Sequence, residues 1–463
     1  MTVADDVLVL GAGAAGMLVA LRAASLGASV VLVDPYWSTP NTLAVSGGLV
    51  PAAGSRRQRE AGVRDDPERW LADLRAFAGD SVNERIAASV AHALPEVLDF
   101  LEARCGIGVR FLPDVPGPGH SVARFHAATP ASGRALHDGL RDAVRAEPRI
   151  RVVRDRAIAS VRRDANGAVE VAFAPSTVDA VATPTAPGAE DPPARGARTL
   201  LAGGGFGANR AMLAEFLPAM AGALHGGPAT NDGSTIALGR AWGAALAGMD
   251  GYQGQGHSNP GGRTRLGMSL PVLGAILVDR EGRRFVREDV GPSELAAHVL
   301  ACPGGVALEV FDARAEAALG EHSAYAEARA AGRILAADGP DALAALAGVP
   351  AAALRAALDD AAAFARGERR DPLGRAAFAR PLEPPYRASW VTGALAHTQG
   401  GLVTDGEGRV LDARSRPLPG LWAAGGAAAG LAGRGGSGYL PGNGLAQAFG
   451  LAWRAAASAV GAR

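Results

Sequence analysis

A chain of 463 residues is too long for one ordinary core, so two compact units are expected, one inserted into the other. It is 48% hydrophobic with 46 basic and 46 acidic side chains, a balance that leaves no excess of either sign to hold nucleic acid or an anionic membrane surface. Cys105 and Cys302 stand alone without a CxxC, which excludes thiolate-bound iron–sulfur clusters and c-type haem and argues against a disulfide scaffold.

The N-terminus MTVADD carries no basic leader, and no apolar run reaches the ~18 residues of a membrane span, so a cytoplasmic protein without a span is expected. Residues 7–34, VLVLGAGAAGMLVALRAASLGASVVLVD, then read as a buried strand, a tight glycine turn, a helix, and a second apolar strand ending in an acid. This is a dinucleotide-binding βαβ unit. Gly11 and Gly13 permit the turn and let backbone N–H groups, with Ala14 and Ala15 opening the helix, approach a pyrophosphate; Gly16 allows close packing on the sheet. Asp34 closes the second strand, placed to accept from a ribose hydroxyl.

The next run, PYWSTPNTLAVSGGLVPAAG, is small and polar, and its Thr42, Ser46, Gly47 and Gly48 would let a loop lie along a cofactor. Here the sequence resembles the flavoproteins of the fumarate reductase and succinate dehydrogenase class, which carry a Thr/Ser-rich SxGG loop. Members of that class that attach FAD covalently place a histidine seven positions before the second glycine. That position is Asn41, so the resemblance implies FAD held without a covalent bond.

Residues 67–104 alternate apolar and charged residues at helical spacing and predict two amphipathic helices. The stretch PGHSVARFHAATPASGRALHDGLRDAV resembles the GGHS…R…H…TG segment of aspartate oxidases, which brings His120 and His126 forward as candidates near the site. Strands follow in RVVRDRAIASVRRD and AVEVAFA, joined by a hairpin at ANG. Residues 174–198 are Pro-, Ala- and Thr-rich without a period and predict a flexible surface loop. RTLLAGGGFGAN then returns to strand and glycine turn; the resemblance assigns it, with Gly203, to the same single FAD site. In TNDGSTIALGRAWGA it assigns Asp232 to the adenosine end of FAD.

From 251 to 390 the pieces GAILVDREGRRFVRED, GVALEVFDAR and two alanine-rich helices joined at GVP resemble the capping domain of the same flavoproteins. The expected architecture is α/β: a Rossmann-like FAD-binding domain from 1–250 and 391–463, with an inserted α+β capping domain over 251–390. Near the C-terminus, Gly425, Gly442, Asn443, Gly444 and Leu445 are further candidates for holding FAD, and Gly426 stands where relatives carry an acid.

Flavin chemistry on carbon needs a hydride path, a group that moves a proton, and a group that polarises a carbonyl or carboxylate. His397, in AHTQGG, falls where the family has a substrate-binding histidine, and His257 resembles the histidine of its QxHP. Fumarate-reducing members carry a proton-donating arginine three residues before the GAILV glycine. Pro271 occupies that place and can do neither job. The segment YLPGNGLAQAFG is close to the YPGxG of ketosteroid dehydrogenases and of proteins like tricarballylate dehydrogenase. Tyr439 is therefore a candidate general base and Arg434 a candidate to hold anionic charge.

The leading expectation is an FAD-dependent dehydrogenase of a CH–CH bond next to a carbonyl or carboxyl group, with hydride passing to flavin N5 and the proton to the Tyr/His/Arg site. Its partner would be a small molecule bearing such a group. Alternatives are an oxygen-using oxidase of C–N or C–OH bonds, an alkene reductase of the fumarate reductase type, and a flavin-binding module that docks a protein. The residues name neither the substrate nor the electron acceptor.

Overall fold

The computed structural model describes residues 5–115, 117–174, 193–262, 264–319 and 323–461. Most of the loop expected over 174–198 therefore lies outside the described residues. The apolar runs VLVL and VVLV form adjacent parallel strands, Asp5–Leu10 and Val30–Asp34, whose Val7–Leu10 and Val30–Val33 are all buried. Strands with no polar face must be covered on both sides, as parallel sheets are. The sheet continues through Ile150–Arg154 beyond Val30–Asp34, and through Ala194–Leu201, Pro417–Ala423 and Arg409–Leu411 on the other side. Along this path all neighbours are parallel except the last pair, while Val169–Phe173 adds to Ala194–Leu201 antiparallel. Helix Ala14–Ser25 packs on helix Asn443–Val460, which packs in turn on Glu84–Cys105. The hairpin expected at ANG joins Ile158–Arg163 to Val169–Phe173.

The second sheet is built around one long strand, Tyr386–Thr398, flanked by Val306–Asp312, Tyr252–Ser258, Leu335–Ala337 and Leu224–His225, with Ile276–Val278 at the edge beyond Val306–Asp312. Alternation along Val306–Asp312 sends Ala307 and Phe311 to a core beneath helix Pro292–Ala301, and Leu308 and Val310 to a core beneath Pro340–Ala347 and Ala351–Ala365. The two alanine-rich helices expected around GVP are thus present. The sheet does not stop at the boundaries read from the sequence, because Leu224–His225 precedes 251 and Tyr386–Thr398 runs past 390. That overrun has a consequence for the site: it carries His397 and Thr398, at the end of the strand, away from the second sheet's cores and toward the first sheet's glycine turns. Among the described residues no helix is long and apolar enough to cross a membrane.

Candidate active site

A cavity of about 1560 Å³ runs between the two sheets. At one end it is walled by backbone. Gly11 has φ +103°, and a Cβ there would stand 2.5 Å from the Ala202 carbonyl oxygen, so only glycine lets the two turns meet. Gly13 caps helix Ala14–Ser25 without a side chain, leaving the first helical N–H groups, those of Ala14 and Ala15 among them, facing the cavity. Gly16 does not line the cavity; a Cβ there would fall 1.8 Å from the Gly11 carbonyl oxygen, so its role is packing of helix on turn and not cofactor contact.

Asp34 lines the cavity and accepts from the N–H groups of Ala12, at 2.6 Å, and Tyr36, at 2.7 Å. Burial pushes its pKa up, although the two N–H bonds pull against that. Asn41 donates to the Ala12 carbonyl and accepts from the Ala44 N–H, capping the short helix Thr42–Val45. The position that carries histidine in covalent flavoproteins is here committed to holding two backbone segments together. Thr42 exchanges hydrogen bonds with Asn231, and Ser46 ties Leu43 to Gly48. Gly47, Gly48, Gly203, Asp232 and Gly425 line the same cavity, which makes the second glycine turn part of one site. Gly426 lines it too, and a Cβ there would stand 2.7 Å from the Gly205 N–H nitrogen; the acid of relatives has no room in this backbone arrangement.

Four polar atoms of cavity-lining residues, Trp37 Nε1, Arg141 Nε, Thr235 Oγ1 and Gln399 Nε2, are buried without a hydrogen-bond partner among the described residues. Side-chain-free turns, a helix N-terminus, Asp34 and unpaired polar atoms together fit a long dinucleotide with a pyrophosphate in its middle.

At the other end side chains take over. The rings of His397 and Tyr439 meet edge to face with centroids 5.2 Å apart. The Gly444 N–H donates to the Tyr439 hydroxyl at 3.4 Å. Gly444 lies in the first turn of the 18-residue helix Asn443–Val460, where N–H groups lack helical partners, and Gly442, at φ +87°, turns the chain into that helix. Burial pushes the Tyr439 pKa up to about 12 and the His397 pKa down. With Nδ1–H donated to the Thr398 carbonyl, at 3.4 Å, His397 is a neutral imidazole with a free lone pair on Nε2. The Tyr439 shift opposes the expectation of a general base, since a base near neutral pH needs its pKa lowered.

The tyrosine loop is held from behind. His120 donates from Nε2 to the Pro441 carbonyl at 3.0 Å and accepts at Nδ1 from Arg124, which is fully buried against Asp65 and Asp73. An arginine cannot accept, so His120 is neutral, in line with burial lowering its pKa. His126 is bonded to Ser55 and the Arg124 carbonyl, and burial takes its pKa to about 4. Neither histidine lines the cavity.

Besides Gly16, His120 and His126, three further expected site residues do not line the cavity. Arg434 is exposed and faces away from the cavity, at the tip of a tight turn closed by Ser437. His257 is buried within the second sheet, bonded to Glu309 at 2.8 Å, because the register shifts at Gln253/Gly254 and Gln255/Ser258 break the alternation that would otherwise put it on the face of Gln253, which lines the cavity. Asn443 is buried with both amide atoms unpartnered among the described residues, and it too misses the cavity, while its neighbours Gly442, Gly444 and Leu445 line it. Sequence reading missed Gln253, Arg265, Met268, Ser293 and Glu294, all on the wall. The Gly-Pro-Ser-Glu start of helix Pro292–Ala301 was a legible signal for a helix N-terminus.

Fold and cavity together fit the class of flavoproteins. The profile of the FAD binding domain family matches residues 6–445, and the chain belongs to that family. It is an FAD-dependent oxidoreductase, and nothing at Asn41 offers a covalent link. It is 26% identical over 425 residues to "Probable fumarate reductase Ifc3" of Shewanella frigidimarina (strain NCIMB 400), covering 91% of this chain and 69% of the relative. It is 28% identical to the 4-oxocyclohexanecarboxylate 2-dehydrogenase of Sinomonas cyclohexanicum, covering 95% of this chain and 92% of the relative. The open conformation of a flavocytochrome c3 fumarate reductase superposes with a TM-score of 0.82 at 24% identity, covering 99% of this chain and 78% of that one, a likeness of fold.

Proposed function

We propose that the chain is an FAD-dependent dehydrogenase that removes hydrogen across a CH–CH bond next to a ketone, with residues 251–390 acting as its cap. The observation that carries this reading is the convergence of the Tyr439 hydroxyl, the Gly444 N–H and the His397 ring at one end of the cavity. A ketone oxygen placed between Tyr439 Oη–H and Gly444 N–H would receive two hydrogen bonds at the positive end of a long helix. Those bonds strengthen as negative charge gathers on that oxygen during loss of the α proton. Tyr439, with its pKa raised, stays protonated and donates. His397 Nε2, neutral through burial, takes the α proton.

FAD, when bound, supplies the acceptor for the two electrons that leave with the β hydrogen. Ala14 and Ala15 N–H groups would hold its pyrophosphate, Asp34 its ribose, Asp232 its adenosine end, and Gly47, Gly48, Gly425, Gly444 and Leu445 would flank the rest. Pro271 supports the direction of reaction: it is buried, off the cavity, with its carbonyl bonded by Arg375, so the reductase's proton donor is missing from its usual place. The relative that acts, by its name, on 4-oxocyclohexanecarboxylate is matched over nearly its whole length and favours a ketone over a dicarboxylate.

The test is anaerobic mixing of the purified holoenzyme with cyclic ketones, 3-ketosteroids, and di- and tricarboxylates. Loss of the yellow flavin colour with a ketone, and its absence in Tyr439→Phe, is the expected result. A flavin that no ketone bleaches, in a protein that instead oxidises its reduced flavin with fumarate, would overturn the reading.

A further inference from the structure

The cavity is lined by two arginines of the described residues, and they differ in what they face. Arg141 stands at the Asp34 end, its guanidinium 4.9 Å from the centre of the Trp37 ring. Arg265 comes from the other side, in the loop that follows strand Tyr252–Ser258 of the second sheet. That loop is fixed. The Leu266 N–H donates to the His257 carbonyl and the Asn259 N–H to the Thr264 carbonyl, while Leu266 and Leu270 are sunk in the second sheet's core. With its neighbour Leu266 turned inward, Arg265 is exposed and lines the cavity, and its guanidinium, solvated and with no hydrogen-bond or ion-pair partner among the described residues, is open to an incoming anion.

The wall it belongs to is mixed, with Gln253, Ser293 and Glu294 among its polar members and several large apolar side chains beside them. Met268, from the same loop, and Phe77 are 60% and 42% exposed, large side chains left open where they line the cavity. Val115 and Pro118 line it as well. A guanidinium is a rigid fork of donors that matches a carboxylate with two parallel bonds. An unpaired, solvent-open one on the cavity wall is suited to an anion arriving with the substrate.

Resting on the ketone-dehydrogenase reading above, we infer that Arg265 selects the substrate class: a ketone whose apolar carbon frame carries a carboxylate away from the reacting bond. The frame lies against Met268 and Phe77, and the carboxylate pairs with Arg265. The pairing is equally present before and during reaction, so it lowers KM and leaves kcat alone.

The experiment separates this from the reading it rests on. The holoenzyme is titrated with cyclohexanecarboxylate and with its methyl ester, and binding is read from perturbation of the visible flavin spectrum without turnover. The acid is expected to bind about tenfold or more tightly than the ester. Arg265→Ala should bring the acid down to the ester's affinity, Arg265→Lys should keep part of the preference, and both should retain full FAD. An acid preference unchanged in Arg265→Ala, no preference in the parent protein, or loss of FAD from Arg265→Ala would each overturn the inference; the last would assign the arginine to the cofactor. Failure of every ketone to bleach the flavin, with the Arg265-dependent acid preference intact, would instead sink the dehydrogenase reading and leave the anion site standing.

Discussion

At the Asp34 end of the cavity the chain presents backbone, and at the Tyr439 end it presents side chains. The first end is made of turns whose glycines bring main chain against main chain, Gly11 against Ala202 and Gly426 against Gly205. The second is made of His397 and Tyr439, set in place by a strand that overruns its sheet and by a loop tied to His120. Damage at the backbone end should therefore remove the cofactor altogether, whereas damage at the side-chain end should leave a coloured protein that reacts slowly. The largest expected effect is at Gly16. An added methyl would collide with the Gly11 carbonyl oxygen at 1.8 Å, and neither partner is a flexible side-chain tip. Gly16→Ala should purify colourless, with stability lowered by about 3 kcal/mol, measured by thermal unfolding with and without added FAD.

The same contrast explains what was legible in the sequence. Close approach of backbone leaves only glycine as a solution, so the Gly11, Gly13, Gly16 turn and the acid ending the second strand announce themselves at fixed spacing. Side-chain ends carry no such spacing. His257 and Gln253 sit on one strand, and which of them reaches the cavity depends on register and on the irregularities at Gln253/Gly254 and Gln255/Ser258, features no local pattern encodes. Arg265 was passed over because its placement follows from Leu266 and Leu270 entering a core formed by distant segments. Tyr439 was legible as a residue, but the enclosure that raises its pKa, and so speaks against a base, is tertiary and has no local pattern.

The next effect is at His397. Replacing it with glutamine, which keeps a polar group but takes no proton, should lower the rate of flavin reduction by about 10²- to 10⁴-fold while the protein stays yellow. The pH profile sharpens the assignment. Because burial depresses the His397 pKa, the neutral imidazole persists as pH falls below its usual value of about 6.5, and the rate should drop only as pH passes through the lowered value. That acid limb should vanish in His397→Gln; its persistence there would assign the titration elsewhere. Tyr439→Phe comes third, with a loss of about 10²- to 10³-fold from removing one donor to the developing oxyanion. Its profile should keep the acid limb, since His397 is intact, and no alkaline limb should appear in the parent protein until pH nears the Tyr439 value of about 12.

Arg434 sets the smallest effect and the sharpest limit on the comparison. It sits in the same glycine-rich loop as Tyr439, yet the loop divides within a few residues. The Tyr252 N–H donates to the Gly435 carbonyl, the Gly433 N–H bonds Ser81, and Gly436 lies against the first turn of helix Pro292–Ala301, where a Cβ would meet Glu294 N at 2.7 Å. These contacts pin the loop between both sheets and turn Arg434 to solvent, while the chain five residues on delivers Tyr439 inward. The glycines therefore serve two neighbours, the cavity at Gly442 and Gly444 and, at Gly436, the helix Pro292–Ala301 as well. Arg434→Ala should change stability by less than about 0.5 kcal/mol and leave kcat/KM for any ketone unaltered, even one bearing a carboxylate. A selective rise in KM for the acid in Arg434→Ala would mean that the loop turns over in the working enzyme, and that the side-chain end of the cavity is not set by the contacts that hold it here.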